Sequence, residues 1–334
     1  MIFKIIFNAF FIFCILGQIS LAEEMKELKG DIFGSNYSVK YFGNLKQSEV
    51  NNFLTIFFKE FNQEFSTYQF NSTVSTFNRS LALSKIKVSE RFIEILEISK
   101  KINNETNGAF DPSISPAINL WNESIKNKNK VPTKNEINEV KNLIGYQWIK
   151  WDVKDKLIWK LKNGIALDLD AFAPGYAVDL IANYLTEQKV SNFLIDISGE
   201  LRAKGKKHDG SAWQIGIENP DLNKAKFPLV VPLENIAIST SGNYRQFYIN
   251  NGENISHIID PISLMPGKSK ICSATVIHES ALTADALSTA LMVMGEKAIQ
   301  FSEENDVKCY LIFCDKKDSL RILSSTSFNK YLKK

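Results

Sequence analysis

The stretch ALTADALSTALMVMG, residues 281–295, consists almost wholly of small or apolar residues, yet it carries Asp285, Ser288 and Thr289. Its composition and length predict a helix packed in the core. Asp285 and Thr289 are four residues apart, so both project from one side of that helix, about one turn from each other. Surrounding alanines leave room for a ligand to approach. From these residues alone, a capped or partly exposed polar face and a cation site both stay open.

Outward from this helix, the chain alternates between helical and strand patterns. Apolar spacing predicts earlier helices over 50–61, 89–108, 132–145 and 175–188. Alternating or continuous apolar runs predict strands at 36–42, 146–152, 156–161, 192–198, 212–218, 236–240, 245–249, 255–260, 272–277 and 307–314. This order predicts an α+β fold in which helices surround a mostly antiparallel sheet. Because no repeat or linker divides the chain, we expect residues 23–334 to form one domain.

Residues 1–22, MIFKIIFNAFFIFCILGQISLA, have one lysine, a long apolar run and a small-x-small ending. This layout predicts a secretory signal cleaved after Ala22, and therefore a location in the periplasm or cell envelope. A retained membrane anchor is the alternative, although an apolar run of about 15 residues is short for a bilayer. Cys272, Cys309 and Cys314 would remain after cleavage. We expect core thiols, and the spacing leaves a bond between Cys309 and Cys314 open.

Composition excludes several classes of function. A net charge of +3 in 334 residues is too small to indicate nucleic-acid binding, and the basic run at 204–210 is typical of a solvated turn. The GKS of MPGKSK, residues 265–270, lacks the earlier glycine of a phosphate-binding loop, and no dinucleotide-binding glycine motif is found. With only three histidines, a metal site must rest mainly on oxygen ligands.

Three further segments contain candidate chemistry. In LDLDAFAPGYAVDL, 167–180, Asp168 and Asp170 precede a helix start that can attract phosphate, although a turn residue and a helix cap explain them equally well. In ISHIIDP, 255–261, His257 is a candidate base or a satisfied core histidine. In GAFDPSISPAINLW, 108–121, Gly108 permits close backbone approach and Asp111 precedes a helix-breaking proline.

Taken together, the wording and order of eight segments resemble the ApbE family of FAD:protein FMN transferases, from Phe33 to Phe301. Besides TADALSTAL and the three segments above, the resemblance rests on FGSNYSVKY, FSTYQFNSTVSTFN, LIDISGELRAKGKKHDGSAWQIGIENP and AISTSGNYRQF. The family transfers FMN from FAD to a Ser or Thr hydroxyl of a partner protein, with Mg²⁺, and releases AMP. The resemblance therefore implies an ApbE-like fold and an acceptor protein, expected to be an envelope electron-transfer subunit that could bring the chain close to the membrane.

The resemblance also implies roles for individual residues. His257 matches the family's catalytic histidine. The implied metal positions are Asp285, Ser288, Thr289 and the backbone carbonyl of Ala171, and the implied flavin contacts are Phe33, Tyr68, Ala109, Phe110, Asp111, Asp168, Pro174 and Ile259. The chain departs from the family at Pro174, Phe33, Ser288 and the PISLMPG turn that follows Asp260. An FAD pyrophosphatase that yields FMN and AMP, or a non-catalytic flavin-binding protein, are the competing functions.

Overall fold

The computed structural model describes residues 24–127, 130–220, 229–243, 247–250, 253–267, 269–316 and 319–332. The predicted signal, residues 1–22, lies outside the described residues and stays a prediction. Within the described ranges, no helix is long and apolar enough to cross a bilayer.

An eight-stranded antiparallel sheet forms the centre of the fold, in the order β1-β2-β6-β7-β10-β13-β14-β15. Its strands are β1 Lys26–Ile32, β2 Ser35–Phe42, β6 Asn192–Ile197, β7 Glu200–Lys204, β10 Ile236–Gly242, β13 Ile271–His278, β14 Lys308–Lys316 and β15 Ser319–Ser324. Smaller sheets contain β3 Ile86–Lys87, β4 Ile149–Asp152 and β5 Leu157–Lys160, then β8 Trp213–Ile217 with β9 Leu229–Leu233, and β11 Phe247–Asn250 with β12 Glu253–Ser256. The prediction of a mostly antiparallel α+β fold is confirmed.

The helices are α1 Gln47–Phe65, α2 Thr73–Arg79, α3 Glu90–Glu105, α4 Ser115–Asn122, α5 Lys134–Lys141, α6 Ala173–Glu187, α7 Ala281–Met294 and α8 Ala298–Glu304. Local sequence explains their starts. Side chains of Ser89, Thr133 and Ser280 accept a backbone hydrogen bond at the beginning of α3, α5 and α7, because a side-chain oxygen satisfies an N–H that has no partner within the helix. The predicted helix over 132–145 is shorter than expected, since it ends at Lys141.

The main core lies between the helices and one face of the large sheet. Side chains of α1, α3, α6 and α7 pack there against strand residues such as Val39, Ile195 and Val276. A second cluster on the opposite face includes Ile238, Ile277 and residues of β8 and β9. Since side chains alternate along a strand, Ser239 and Ser241 of β10 point away from this second cluster and toward α7. The register of β10 therefore directs two hydroxyls at the polar face of α7.

Two predictions about local structure are wrong. The strand expected over 255–260 ends at Ser256, because the Ser256 side chain turns back to accept from Ile258 N at 3.1 Å. A second turn follows at Asp260, whose carboxylate accepts from Ile262 N at 2.9 Å and Ser263 Oγ at 2.6 Å. The second wrong prediction concerns the cysteines, which were expected to be core thiols. A disulfide joins Cys272 to Cys314, whose Cα atoms are 5.8 Å apart. Cys309 is a free, buried thiol. It lies on the same strand as Cys314, about 17 Å along an extended backbone, so these two cannot bond.

Candidate active site

Asp179 of α6 lies at the start of α7 and is held there by four hydrogen bonds. The donors are Arg202 Nη1 at 2.6 Å, Ser280 Oγ at 2.7 Å, Ala281 N at 2.9 Å and Leu282 N at 3.1 Å. Because the first N–H groups of a helix have no partner within it, a carboxylate at this point accepts their hydrogen bonds. Its negative charge also interacts favourably with the positive end of the helix dipole. Asp179 thus fixes the N-terminus of α7 to α6 and, through Arg202, to β7.

Asp285 makes the reciprocal contact from α7 to the start of α6. Its Oδ2 accepts from Gly175 N at 3.2 Å, and its side chain is only 6% exposed. A Cβ at residue 175 would lie 2.6 Å from the Ala281 carbonyl oxygen, so only glycine permits this approach of the two helices. The alternative in which Asp170 caps α6 is excluded, because Phe172 is the N-cap residue and the Asp170 carboxylate accepts from Thr67 Oγ1 at 3.3 Å.

Hydroxyl groups from α7 and β10 lie next to Asp285. Ser241 Oγ is 2.6 Å from Ser288 Oγ and 3.0 Å from Thr289 Oγ1. Ser288 is fully buried, and its hydroxyl donates to the Asp285 carbonyl at 2.9 Å, whereas Thr289 is half-buried. The structure therefore brings three predicted metal positions together, and Thr289 is the more accessible of the two hydroxyl residues.

Glu200, which the sequence analysis did not single out, faces the same cluster from β7. Its carboxylate accepts from Ser239 Oγ at 3.5 Å, and its negative charge acts on Asp285. Burial, and then the charge of Glu200, raise the pKa of Asp285 well above its usual range, while burial raises the pKa of Glu200 to about 8. Burial and the Glu200 charge both disfavour the ionised form of Asp285, and a bound cation would offset this effect.

We expect Glu200→Gln to stabilise the metal-free protein by an amount that grows with pH. The folded-state pKa of about 8 lies above the ordinary 4.5, so the unfolded chain releases a proton that the folded protein retains. Wild-type stability therefore falls as pH rises through this window, while glutamine does not titrate. Melting temperatures in EDTA, below, within and above the window, measure the gap between the two proteins. A gap that does not change with pH would contradict the assignment.

A second part of the site precedes α6. Asp168 Oδ1 accepts from Asp170 N at 2.9 Å, which fixes the turn that carries Ala171, an exposed residue. Tyr68 is 90% exposed, and the negative charges of Asp170 and Asp168 contribute to raising the pKa of its hydroxyl. An exposed aromatic ring beside the start of a helix offers a stacking surface next to backbone groups that attract phosphate.

The segment that begins with GAFD, residues 108–121, is connected to this turn by a backbone hydrogen bond. Asp168 N donates to the Pro112 carbonyl at 2.7 Å, and Asp111 Oδ1 accepts from Ser113 N at 2.9 Å. Ala109 and Phe110 are buried, and the Phe110 backbone donates to Thr106 Oγ1 and accepts from Asn103 Nδ2. Burial raises the pKa of the Asp111 carboxyl.

His257 immediately follows β12 and is half-buried. Its segment is anchored to the GAFD segment, because Ile259 packs with Ile114 and the Trp121 indole N–H donates to the Leu264 carbonyl at 2.8 Å. The segment that contains His257 is thus in contact with α4, and Pro112, just before α4, is hydrogen-bonded to the turn at Asp168.

Two predicted flavin contacts lie at element boundaries. Phe33 occupies the β1–β2 turn with φ of 54°, and its ring centroid is 5.5 Å from that of Phe61 in α1. Pro174 is in the first turn of α6, where a residue without an N–H is tolerated. No described contact joins Phe33 directly to Asp285 or to the turn at Asp168. The roles of all these positions as ligand contacts stay predictions.

The donor set fits Mg²⁺ better than a softer metal. In the part of the chain that the structure describes, no group of three or more His, Cys, Asp or Glu side chains has metal-site geometry. One carboxylate, a hydroxyl and a carbonyl are the few hard oxygen ligands that Mg²⁺ accepts when substrate phosphates and water complete its shell. Burial and the charge of Glu200 destabilise the ionised Asp285 carboxylate, and a bound cation would stabilise it. The fold and the polar cluster where the starts of α6 and α7 meet are the features to compare with known proteins.

Comparison with known proteins identifies the family. A model of the ApbE family matches residues 33–311. An FAD:protein FMN transferase of Vibrio cholerae is 31% identical over 320 residues, which cover 93% of this chain and 94% of the relative. One of Haemophilus influenzae is 33% identical over 309 residues, covering 88% and 89%.

Solved structures agree. The apo form of the Pseudomonas stutzeri flavinyl transferase ApbE superposes with a TM-score of 0.84 at 31% identity, over 92% of this chain and 97% of that one. The flavin transferase ApbE from Vibrio cholerae gives a TM-score of 0.83 at 30% identity, over 92% and 99%. The chain belongs to the ApbE family.

Proposed function

We propose that this chain is a Mg²⁺-dependent FAD:protein FMN transferase that moves FMN from FAD onto a Ser or Thr hydroxyl of an acceptor protein. The acceptor oxygen forms a bond to the FMN phosphorus while the pyrophosphate bond breaks, and AMP leaves. The observation that carries this proposal is the buried Asp285 at the meeting point of α6 and α7, with the Thr289 hydroxyl one turn away and the start of α6 beside it.

The residues of the chain have separate tasks in this reaction. The Ala171 carbonyl, Asp285 and Thr289 would hold Mg²⁺, with Ser288 supporting the set through the Asp285 carbonyl. When bound, the metal neutralises charge on the pyrophosphate and keeps the attacking and leaving oxygens in line.

The flavin would lie against the exposed Tyr68 ring near Asp168, with the GAFD backbone and Ile259 closing the site from the α4 side. His257 would take the proton of the acceptor hydroxyl, because neutral imidazole is a base near physiological pH. Each of these residue roles rests on the family resemblance and is a proposal for this chain.

We expect His257→Asn to lower the rate of transfer by about 10²-fold, since a positioned general base contributes at least that much. FAD affinity should be nearly unchanged, because the proposed role concerns the acceptor proton. The transfer rate is measured from the flavin fluorescence of the acceptor at successive times. FAD affinity is measured separately, from the quenching of tyrosine and tryptophan fluorescence as FAD is added. His208→Asn is the matched control, as His208 lies exposed in a turn. Equal transfer rates for the two variants would refute the role of His257.

The location follows from the predicted signal at residues 1–22 and is also a proposal: the mature chain would work in the periplasm or cell envelope. Its acceptor would be an electron-transfer subunit there, and the membrane would be close through that partner. A fusion of residues 1–22 to a reporter enzyme that is active only outside the cytoplasm tests export. No reporter activity would contradict the proposed location.

A further inference from the structure

Three large apolar side chains are exposed on the segment that follows Tyr68. Phe70 is 71% exposed, Leu81 is 70% exposed and Leu83 is 67% exposed. We refer to these three residues as the apolar strip. Scattered exposed apolar residues are ordinary on a protein surface, but these three fall within fourteen residues of the chain, on either side of α2.

The apolar strip is firmly attached to the candidate active site. Asn78, between Phe70 and Leu81, donates to the Leu167 carbonyl at 2.8 Å and accepts from Leu167 N at 2.7 Å. Leu83 N donates to the Lys160 carbonyl at 2.7 Å. Thr67, next to Tyr68, donates to Asp170. The segment that carries the strip is thus hydrogen-bonded both to the turn at Asp168 and to β5.

Leu83 is an unusual choice at its position for two independent reasons. Its backbone is in the left-handed region with φ of 65°, which a leucine adopts at a cost and which asparagine or glycine adopt readily. Its side chain is also mostly in solvent. Neither backbone conformation nor solvation favours leucine here, and contact with another molecule would give the side chain a role.

The surroundings of the strip carry positive charge. Residues 70–87 and 156–165 contain no Asp or Glu and three Lys or Arg each, of which Lys160 is fully buried and Lys156 pairs with Glu90. Arg79, Lys85 and Lys162 lie over the rings of Phe70, Trp159 and Trp148 at 3.6, 5.1 and 3.4 Å. Within the described residues, none of these three cations forms an ion pair with a carboxylate. Their charge is available to an acidic partner.

We propose that the apolar strip docks the acceptor protein, through an acceptor segment in which apolar side chains lie beside acidic ones. This inference rests on the proposed transferase function, because that reaction requires a polypeptide to approach the site closely. An occupant of the strip would contact the segment that is hydrogen-bonded to Leu167 and Asp170. Apolar contact would supply affinity, and the three cations would orient the segment.

The test uses the full mature chain and a candidate envelope electron-transfer subunit that carries the acceptor Ser or Thr. The double variant Leu81→Ser/Leu83→Asn removes the apolar side chains, and asparagine suits the left-handed backbone, so folding is retained or improved. We expect the KM for the acceptor to rise at least about tenfold with little change in kcat, since anchoring side chains dominate binding. Ile322→Ser, at an exposed position on β15, is the matched control and should leave KM unchanged.

Interferometry with the same acceptor measures binding without any transfer, so loss of docking is distinguished from failure of the transferase itself. The proposal is supported if the double variant binds the acceptor more weakly than wild type while Ile322→Ser does not. Raised salt should also weaken the binding of wild type, because it screens the three cations. Equal binding and KM for the double variant and Ile322→Ser would overturn it. A wild-type dimer in light scattering that the double variant abolishes, with acceptor binding unchanged, would assign the strip to a second copy and also overturn it.

Discussion

Asp285→Asn should lower the rate of FMN transfer by about 10³-fold or more while leaving the fold intact. The variant removes the one ionisable carboxylate in the proposed metal set, and the charge stabilisation that a bound metal gives to phosphoryl transfer is worth several kcal/mol. The amide oxygen of asparagine can still accept from Gly175 N, so the contact between α7 and α6 survives. The loss should therefore be specific to metal-dependent chemistry.

Thermal stability separates this outcome from simple unfolding. In EDTA, Asp285→Asn should melt at the same temperature as wild type or higher, because burial and Glu200 both disfavour the charged Asp285. Added Mg²⁺ with FAD should stabilise wild type more than the variant. Asp209→Asn, at an exposed turn, is the matched carboxylate-to-amide control and should behave as wild type. Transfer within a few-fold of wild type in Asp285→Asn would contradict the metal assignment.

The largest effect on stability is expected for Asp179→Ala. This change removes the acceptor of four hydrogen bonds and leaves a partly buried Arg202 without its carboxylate. Breaking such a pair costs about 3–5 kcal/mol, because the remaining charge and N–H groups stay desolvated. Chemical denaturation measures this difference. Since Asp179 fixes the start of α7, the remaining folded protein should also bind Mg²⁺ and FAD more weakly.

Glu296→Ala provides a matched comparison. Its ion pair with Arg321 has the same 2.6 Å separation, but the Glu296 side chain is 64% exposed. An exposed pair contributes about 0–1 kcal/mol, so this variant should be nearly neutral. Similar destabilisation by the two variants would show that the position of Asp179 between the helices has no special importance.

The sequence predicted the parts of this protein that depend on local pattern. The amphipathic spacing of α1, the apolar run of α7 and the alternation of most strands follow from short-range preferences, and the structure confirms them. The polar positions of α7 could be found in the same way, because a helix places Asp285 and Thr289 on one side.

Features that depend on the register of distant strands could not be predicted. Glu200 reaches Asp285 only because β7 pairs with β10 and both present alternate residues to the helices. Nothing within LIDISGE distinguishes an inward glutamate from an outward one. Asp179 could not be assigned to the start of α7 either, because that contact depends on the packing of α6 against a helix more than a hundred residues later. The Cys272–Cys314 bond likewise requires the β13–β14 pairing.

The most direct test of the central claim is the intact mass of the acceptor after incubation with the mature chain, FAD and Mg²⁺. The proposed function predicts an increase equal to FMN minus one water, with one AMP released for each acceptor modified, and no increase with Asp285→Asn or in EDTA. Release of free FMN and AMP with the acceptor unmodified would contradict transfer and indicate a pyrophosphatase. Tight FAD binding that is indifferent to EDTA and gives no AMP would contradict catalysis altogether.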